Sequence, residues 1–276
     1  MKALITIRLT TLTLILSILL ISCSPTAITT DAKVPEPVKD WWPPQPGQSW
    51  QIQYEGDIDL DVDADIYNLD LFETTPEMIE TLHAKDKKVV CYLNAGAWED
   101  WRPDSKDFPE EILGKKYEGW PGERWIDIRQ IDLLEAPITA RLDLCAQKGF
   151  DGVDPDNVDG YTNDTGFPIS AEDQLTYNRW LAAQAHARNL GIGLKNDPDQ
   201  AEMLAPYFDW ITTESCFQED WCQQFAAFLK AGKPIIVVEY TSNPTQINAI
   251  CQHALANQVE IIFKHRQLDA WQKTCP

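Results

Sequence analysis

The sequence predicts an α/β fold, a (β/α)8 TIM-like barrel with a long, Trp-rich insertion after its third strand. Two patterns carry this. Eight short runs rich in Ile and Val, bounded by turn residues, alternate with helix-like runs across most of the chain. The main rival, a doubly wound open sheet that binds a dinucleotide, lacks its GxGxxG after the first strand.

The strand candidates are 50–54, 65–71, 89–94, 151–156, 192–196, 209–214, 235–240 and 260–264. Short β-branched runs of this kind suit buried parallel strands. Thr75-Pro76 reads as an N-cap followed by proline at the first helical position. Ser170-Ala171-Glu172-Asp173 reads as a capping-box start for a helix through Tyr177, Trp180, Leu181 and Ala185 that stops at Gly191. The gap 95–150 holds Trp98, Trp101, Trp120, Trp125 and a possible extra strand at 125–128. An insertion at this point lies over the C-terminal face, where barrel active sites sit. Its tryptophans either form a sugar platform or pack a small core of their own.

Three segments are expected: a signal peptide over 1–22, a Pro-rich tether over 23–46 and a catalytic domain over 47–276. Lys2 and Arg8 precede an apolar run at 9–21, too short to span a bilayer comfortably and suited to a signal h-region. The run ends in Leu20-Ile21-Ser22-Cys23, which resembles a bacterial lipobox with Cys23 as the lipidated residue. Export with membrane anchoring follows, plain secretion being the alternative. Six of the 18 prolines lie in the tether, which therefore reads as an extended spacer. Trp41-Trp42 at its end are expected to dock on the domain.

Without Cys23, six of the seven cysteines remain, and an exported chain allows disulfides. Local spacing favours Cys216–Cys222 and Cys251–Cys275, leaving Cys91–Cys145. No cysteine pair has zinc-finger spacing and the four histidines are scattered, so no metal and no cofactor is expected. The net charge of −20 makes nucleic acid an unsuitable partner and would draw in a cationic one. A monomer is expected.

Candidate chemistry centres on DGVDPDNVDGY at 151–161. An EF-hand reading fails, because Val158 and Asp159 occupy loop positions five and six and Thr165 position twelve. On a strand, Asp154 and Asp156 share a face, Pro155 suits a strand end, and Asn157 opens the loop. Glu214 and Glu239 end later strands, as do Lys195-Asn196, Tyr92 and Asn94. Carboxylates converging on a barrel mouth are the equipment of a glycoside hydrolase.

At these residues the chain resembles glycoside hydrolase family 114, the endo-α-1,4-polygalactosaminidases. The matching stretches are CYLNAGAWEDWRPD at 91–104, GWPGERWIDIR at 119–129, RLDLCAQKGFDGVDPDNVDGY at 141–161, LAAQAHARNLGIGLKND at 181–197, FDWITTESCF at 208–217 and Glu239-Tyr240. WPPQPGQSWQIQY fits the family's opening, and the resemblance covers about 41–240. It implies a (β/α)8-like barrel and endo-hydrolysis of a cationic α-1,4-galactosamine polysaccharide. It further implies a carboxyl pair, Asp156 as nucleophile and Glu214 as general acid/base if the reaction is retaining. Candidate substrate contacts are Tyr54, Asp57, Asp70, Tyr92, Asn94, Asp127, Arg129, Asp154, Asn157, Tyr161, Lys195, Asn196, Glu239 and Tyr240. Asp154 stands where Glu is commoner in the family and Ser215 where Gln is. The alternatives are a lipoprotein that binds aminosugar polymer without cutting it and a hydrolase of another α-linked glycan.

Overall fold

In the computed structural model, which describes residues 40–257 and 259–275, Trp50–Gln53 (β1) and Ile66–Asp70 (β2) pair in parallel. Cys23, the signal-like run and the tether up to residue 39 lie outside the described residues. The chain continues through Pro76–His83 (α1), Lys88–Asn94 (β3), Ala97–Glu99 (β4), Leu113–Lys116 (β5), Glu123–Ile126 (β6) and Ile131–Lys148 (α2). Gly152–Asp156 (β7), Ala171–His186 (α3), Gly191–Lys195 (β8), Ala201–Leu204 (α4), Trp210–Glu214 (β9) and Ala226–Lys230 (α5) follow. Ile235–Glu239 (β10), Pro244–Asn257 (α6), Glu260–Lys264 (β11) and Gln272–Thr274 (β12) complete it.

The main sheet runs β1-β2-β3-β7-β8-β9-β10-β11-β12, parallel throughout except for the antiparallel β12. All eight sequence-read strands are present as its parallel members. Two features depart from a full (β/α)8 barrel. First, no helix joins β1 to β2. The stretch 54–65 is acid-rich without helical apolar spacing, and Gln53 organises it instead: its amide donates to the carbonyls of Glu55 and Asp57 and accepts from Asp59 N–H. Second, the C-terminal segment reaches across from β11 to β1. Tyr54 N–H donates to Leu268 O at 2.9 Å, and the Gln272 amide donates to Trp50 O at 3.3 Å.

Alternation along each strand sorts two cores. Trp50, Ile52, Ile66, Val90, Trp210, Ile236, Val238 and Ile262 point inward and fill the barrel. Val89, Cys91, Val153, Ile192, Ile211 and Val237 face outward onto helix residues such as Leu134, Ile138, Leu142 and Leu181. Trp210 occupies the barrel centre because neighbouring strands carry glycine. A Cβ on Gly193 would sit 2.3 Å from its indole nitrogen, and Gly152 and Gly191 also face its ring.

Local signals hold the helices. Thr75 accepts from Met78 N–H at 3.3 Å, and Ser170 and Asp173 form a reciprocal capping box. Disulfides link Cys91 with Cys145, Cys216 with Cys222 and Cys251 with Cys275, tying β3 to α2, closing the loop after β9 and fastening the chain end to α6. Trp41 stacks on His186 at 3.8 Å, and the Trp42 carbonyl lies so close to Gly191 that a Cβ there would meet it at 2.4 Å. The end of the Pro-rich segment is thus seated on the domain. The insertion forms a three-stranded sheet, β4-β6-β5, with the sequence-read strand starting two residues earlier, at Glu123.

Candidate active site

Three adjacent strands, β7, β8 and β9, each end on an inward-facing ionic side chain: Asp156, Lys195 and Glu214. Lys195 is almost fully buried, with Nζ 3.3 Å from Asp156 Oδ1 and 3.6 Å from Glu214 Oε2. Burial alone would lower the lysine's pKa. Asp156 and Glu214 outweigh it and hold the ammonium well above its ordinary value. Each carboxylate has a phenol donor: Tyr92 OH donates to Asp156 Oδ2 at 2.8 Å, and Tyr240 OH donates to Glu214 Oε1. Asn196 brackets Glu214, donating from its amide to Oε2 at 3.2 Å and accepting from the Glu214 N–H at 2.9 Å. Tyr54 stacks on Tyr92 with centroids 4.0 Å apart. Burial, reinforced by nearby carboxylates, keeps Tyr54, Tyr92 and Tyr240 protonated, and the last two donate to the carboxylates as above.

The residue after each of these ionic groups is left-handed: Asn157 at φ 61°, Asn196 at φ 53° and Ser215 at φ 57°. Three non-glycine residues in this region at three successive strand ends mark a strained rim that aims the side chains. Gly96 makes one of them fit, since a Cβ there would lie 1.6 Å from the Asn157 carbonyl. The Asp156 carbonyl accepts from both Ala95 and Gly96 N–H.

The group lies on the floor of a cleft of about 830 Å³. Of the sequence-read contacts, Tyr54, Asp57, Asp70, Tyr92, Asn157, Lys195, Asn196 and Tyr240 border it, alongside Asp156 and Glu214. Asp70 is engaged by the Arg102 guanidinium through two bonds of 2.9 and 2.7 Å.

Six expected contacts do not line the cleft and are engaged by other partners. Asp154 sits one inward layer below Asp156 and accepts from the Asn68 amide at 2.7 Å; burial pushes its carboxyl up to about 6. Asn94 is a brace, its Oδ1 accepting from Ala97 N–H at 2.7 Å and from the Asn157 amide at 3.1 Å. Asp127 and Arg129 pair with each other at 2.7 and 2.8 Å. Tyr161 donates to Asp197 at 3.1 Å. Glu239 is fully buried and anchors the loop after β9, accepting from Phe217 N–H and the Gln218 amide, both at 2.7 Å.

Sequence reasoning missed Glu123, which β6 delivers to the cleft beside Asp156. Burial, then the charges of Glu99 and Asp156, push its carboxyl up to about 8. The Asn94 amide donates to it at 3.3 Å. Its signal was present in GWPGERWIDIR, as the acid two residues before Trp125 and therefore on the same face of the insertion strand. Trp101 and Trp120 border the cleft and are 52% and 43% exposed, whereas Trp125 is buried. The insertion therefore both packs a core and presents indole faces.

A carboxyl raised by folding binds its proton more tightly in the native state. Its share of stability is present below the unfolded pKa and declines as pH rises toward the folded one. Glu123 and Asp197, both pushed up to about 8, and Asp154 and Asp159, at about 6, all act in this direction. Melting should therefore occur at a lower temperature at pH 8 than at pH 5. Glu123→Gln should shrink that difference by several degrees, at about 1.4 kcal/mol per pKa unit and ~2–4 °C per kcal/mol. Equal melting temperatures at both pH values would contradict it.

Among the described residues, one cluster has metal-ligand atom types, Cys216, Cys222 and Glu239. Its two sulfurs are joined to each other and Glu239 is satisfied by amides, so it presents no thiolate ligands.

Comparison with known proteins agrees with this architecture. The model of glycoside-hydrolase family GH114 matches residues 30–276. The crystal structure of Aspergillus fumigatus Ega3 in complex with galactosamine is 37% identical, with a TM-score of 0.81, covering 85% of this chain and 97% of that one. The glycoside hydrolase domain of PelA from Pseudomonas aeruginosa shares the fold at 16% identity and a TM-score of 0.67, covering 83% of this chain and 98% of that one. An uncharacterized protein of Deinococcus radiodurans is 26% identical over 207 residues, 67% of each chain.

Proposed function

The chain belongs to glycoside-hydrolase family GH114 and is a glycoside hydrolase; from that premise we propose that it cleaves an α-1,4-linked galactosamine polysaccharide internally, using Asp156 and Glu214. The observation that carries this reading is the pair itself, two carboxylates on one cleft floor with Lys195 between them. The similar protein Ega3, seen with galactosamine, supports an aminosugar substrate. So do the Asp57 and Glu73 carboxylates on the cleft wall, which suit protonated amines. The exposed faces of Trp101 and Trp120 suit sugar rings.

In this reading Asp156 attacks the anomeric carbon while Glu214 gives a proton to the departing glycosidic oxygen. Glu214 then takes a proton from water, which releases the sugar from Asp156. Asp156 Oδ1 and Glu214 Oε2 can be no farther apart than their two distances to Lys195 laid end to end. That limit admits the roughly 5–5.5 Å of a retaining pair and reaches only the short edge of the inverting range. Tyr92 and Tyr240 fix the rotamers of the two carboxyls by their hydrogen bonds.

The test is release of reducing ends from α-1,4-galactosamine polymers of graded acetylation. Activity should rise with free-amine content and fall as salt screens the attraction. Cleavage of a neutral α-galactan but of none of these polymers would sink the substrate assignment. Export and lipid attachment at Cys23 belong to the same proposal. Palmitate labelling of the intact chain that vanishes in Cys23→Ser is the expected result, and unlabelled wild-type protein would refute it.

A further inference from the structure

Beyond Glu214 the main cleft opens into a second cavity of about 510 Å³, and the two share Ser215, Glu219, Tyr240, Arg266 and Gln267. The electrostatics change there. The main cleft wall is dominated by carboxylates, but the side cavity is lined by Lys264, His265 and Arg266 against one carboxylate, Glu219. Glu219 already accepts from the Trp221 indole at 3.2 Å. Lys264 is buried and donates to the Asp269 carbonyl at 2.7 Å, and His265 pairs with the Asp269 carboxylate at 2.9 Å.

Arg266 differs from both. It is exposed, and its guanidinium lies 5.4 Å from the centre of the Tyr240 ring. It has no carboxylate partner among the described residues. Arg102, the other arginine on the cleft wall, is tied to Asp70 and Glu99 at 2.7 and 2.9 Å. Tyr240 in turn donates to Glu214, so Arg266 stands one aromatic ring from the carboxyl assigned as acid/base.

A free cation in this position is poorly matched to a sugar bearing a protonated amine. The remaining lining includes the Ser215 and Ser242 hydroxyls and the Gln267 amide. Such groups suit a neutral acetamide, whose carbonyl accepts hydrogen bonds and whose nitrogen carries no charge.

We propose that this side cavity is a subsite for an N-acetylated sugar and that Arg266 sets its specificity by repelling a protonated amine. The proposal rests on the aminosugar reading above and adds a polarity to it: free amines are favoured along the acidic arm, and an acetylated unit is preferred over a free amine on the other side of the cut. Repulsion between unit charges several ångströms apart at a protein surface corresponds to roughly a tenfold preference.

The experiment uses partly acetylated α-1,4-galactosamine oligosaccharides of defined sequence. Cleavage in ¹⁸O-water marks each new reducing end, and mass spectrometry reads the acetylation of both units flanking the cut. In the wild type, one flanking unit should be N-acetylated in about tenfold excess over chance. Arg266→Glu should abolish or invert that excess, and Arg266→Lys, which keeps the charge, should retain it. Cleavage without bias, or a bias unchanged in Arg266→Glu, overturns this subsite and leaves the parent reading standing. No cleavage of any of these oligosaccharides overturns both.

Discussion

Asp156→Asn and Glu214→Gln should each lower kcat by roughly 10²–10⁴-fold, the usual contribution of a positioned acid, base or nucleophile. KM should change far less, because neither side chain provides most of the binding surface in a cleft of this size. Both substitutions are nearly isosteric, and both side chains keep some solvent contact, 20% and 26%. Folding should therefore survive, with circular dichroism unchanged and melting within a few degrees of wild type. That separation matters, since a loss of activity accompanied by unfolding says nothing about chemistry. A further discriminating reading is available in a retaining enzyme. Azide added to the Glu214 variant should intercept the glycosyl intermediate and yield a glycosyl azide of retained configuration, whereas the Asp156 variant should form none by that route. Hydrolysis at the wild-type rate in either variant would remove that residue from the catalytic pair.

Lys195→Met should be the most damaging single change to the site's stability. The lysine is almost fully buried and is the cation between two carboxylates. Methionine fills much of its volume, so the dominant effect is electrostatic rather than a cavity. Removing one member of a buried ionic group leaves charge uncompensated, at about 3–5 kcal/mol. For a domain of this length that is a fall in Tm of roughly 10 °C. Activity should fall with it, because the two carboxylates would lose the group that holds them on opposite sides of a common point. The gap to wild type should narrow in acid, where added protons relieve the carboxylate repulsion. A variant as stable and as active as wild type would mean that Lys195 is a bystander.

Much of the fold was legible in the residues. Each parallel strand is a short run bounded by turn residues, and each alternates so that every second side chain faces inward. The residues alone therefore place Asp156, Lys195 and Glu214 at strand ends. Glu239 also ends a strand, but alternation sets it on the outward face with Val237, where the Phe217 and Gln218 amides of the preceding strand's loop hold it. Asp127 and Arg129 stand away from the cleft lining for a different reason. Two residues apart in a polar turn, they satisfy each other.

The linear order of residues determined the eight parallel strands, the caps of α1 and α3, and which residue types stand at the barrel mouth. These depend on propensities and periods that act over a few positions. The tertiary structure decided how those residues meet: Lys195 between two carboxylates, Glu123 carried in from the insertion beside Asp156, Arg266 over Tyr240, and the C-terminal segment spanning from β11 to β1. Each of these contacts joins residues at least 19 positions apart. Their distances follow from barrel curvature and from how the insertion packs on the mouth, and neither is a property of any short stretch of chain.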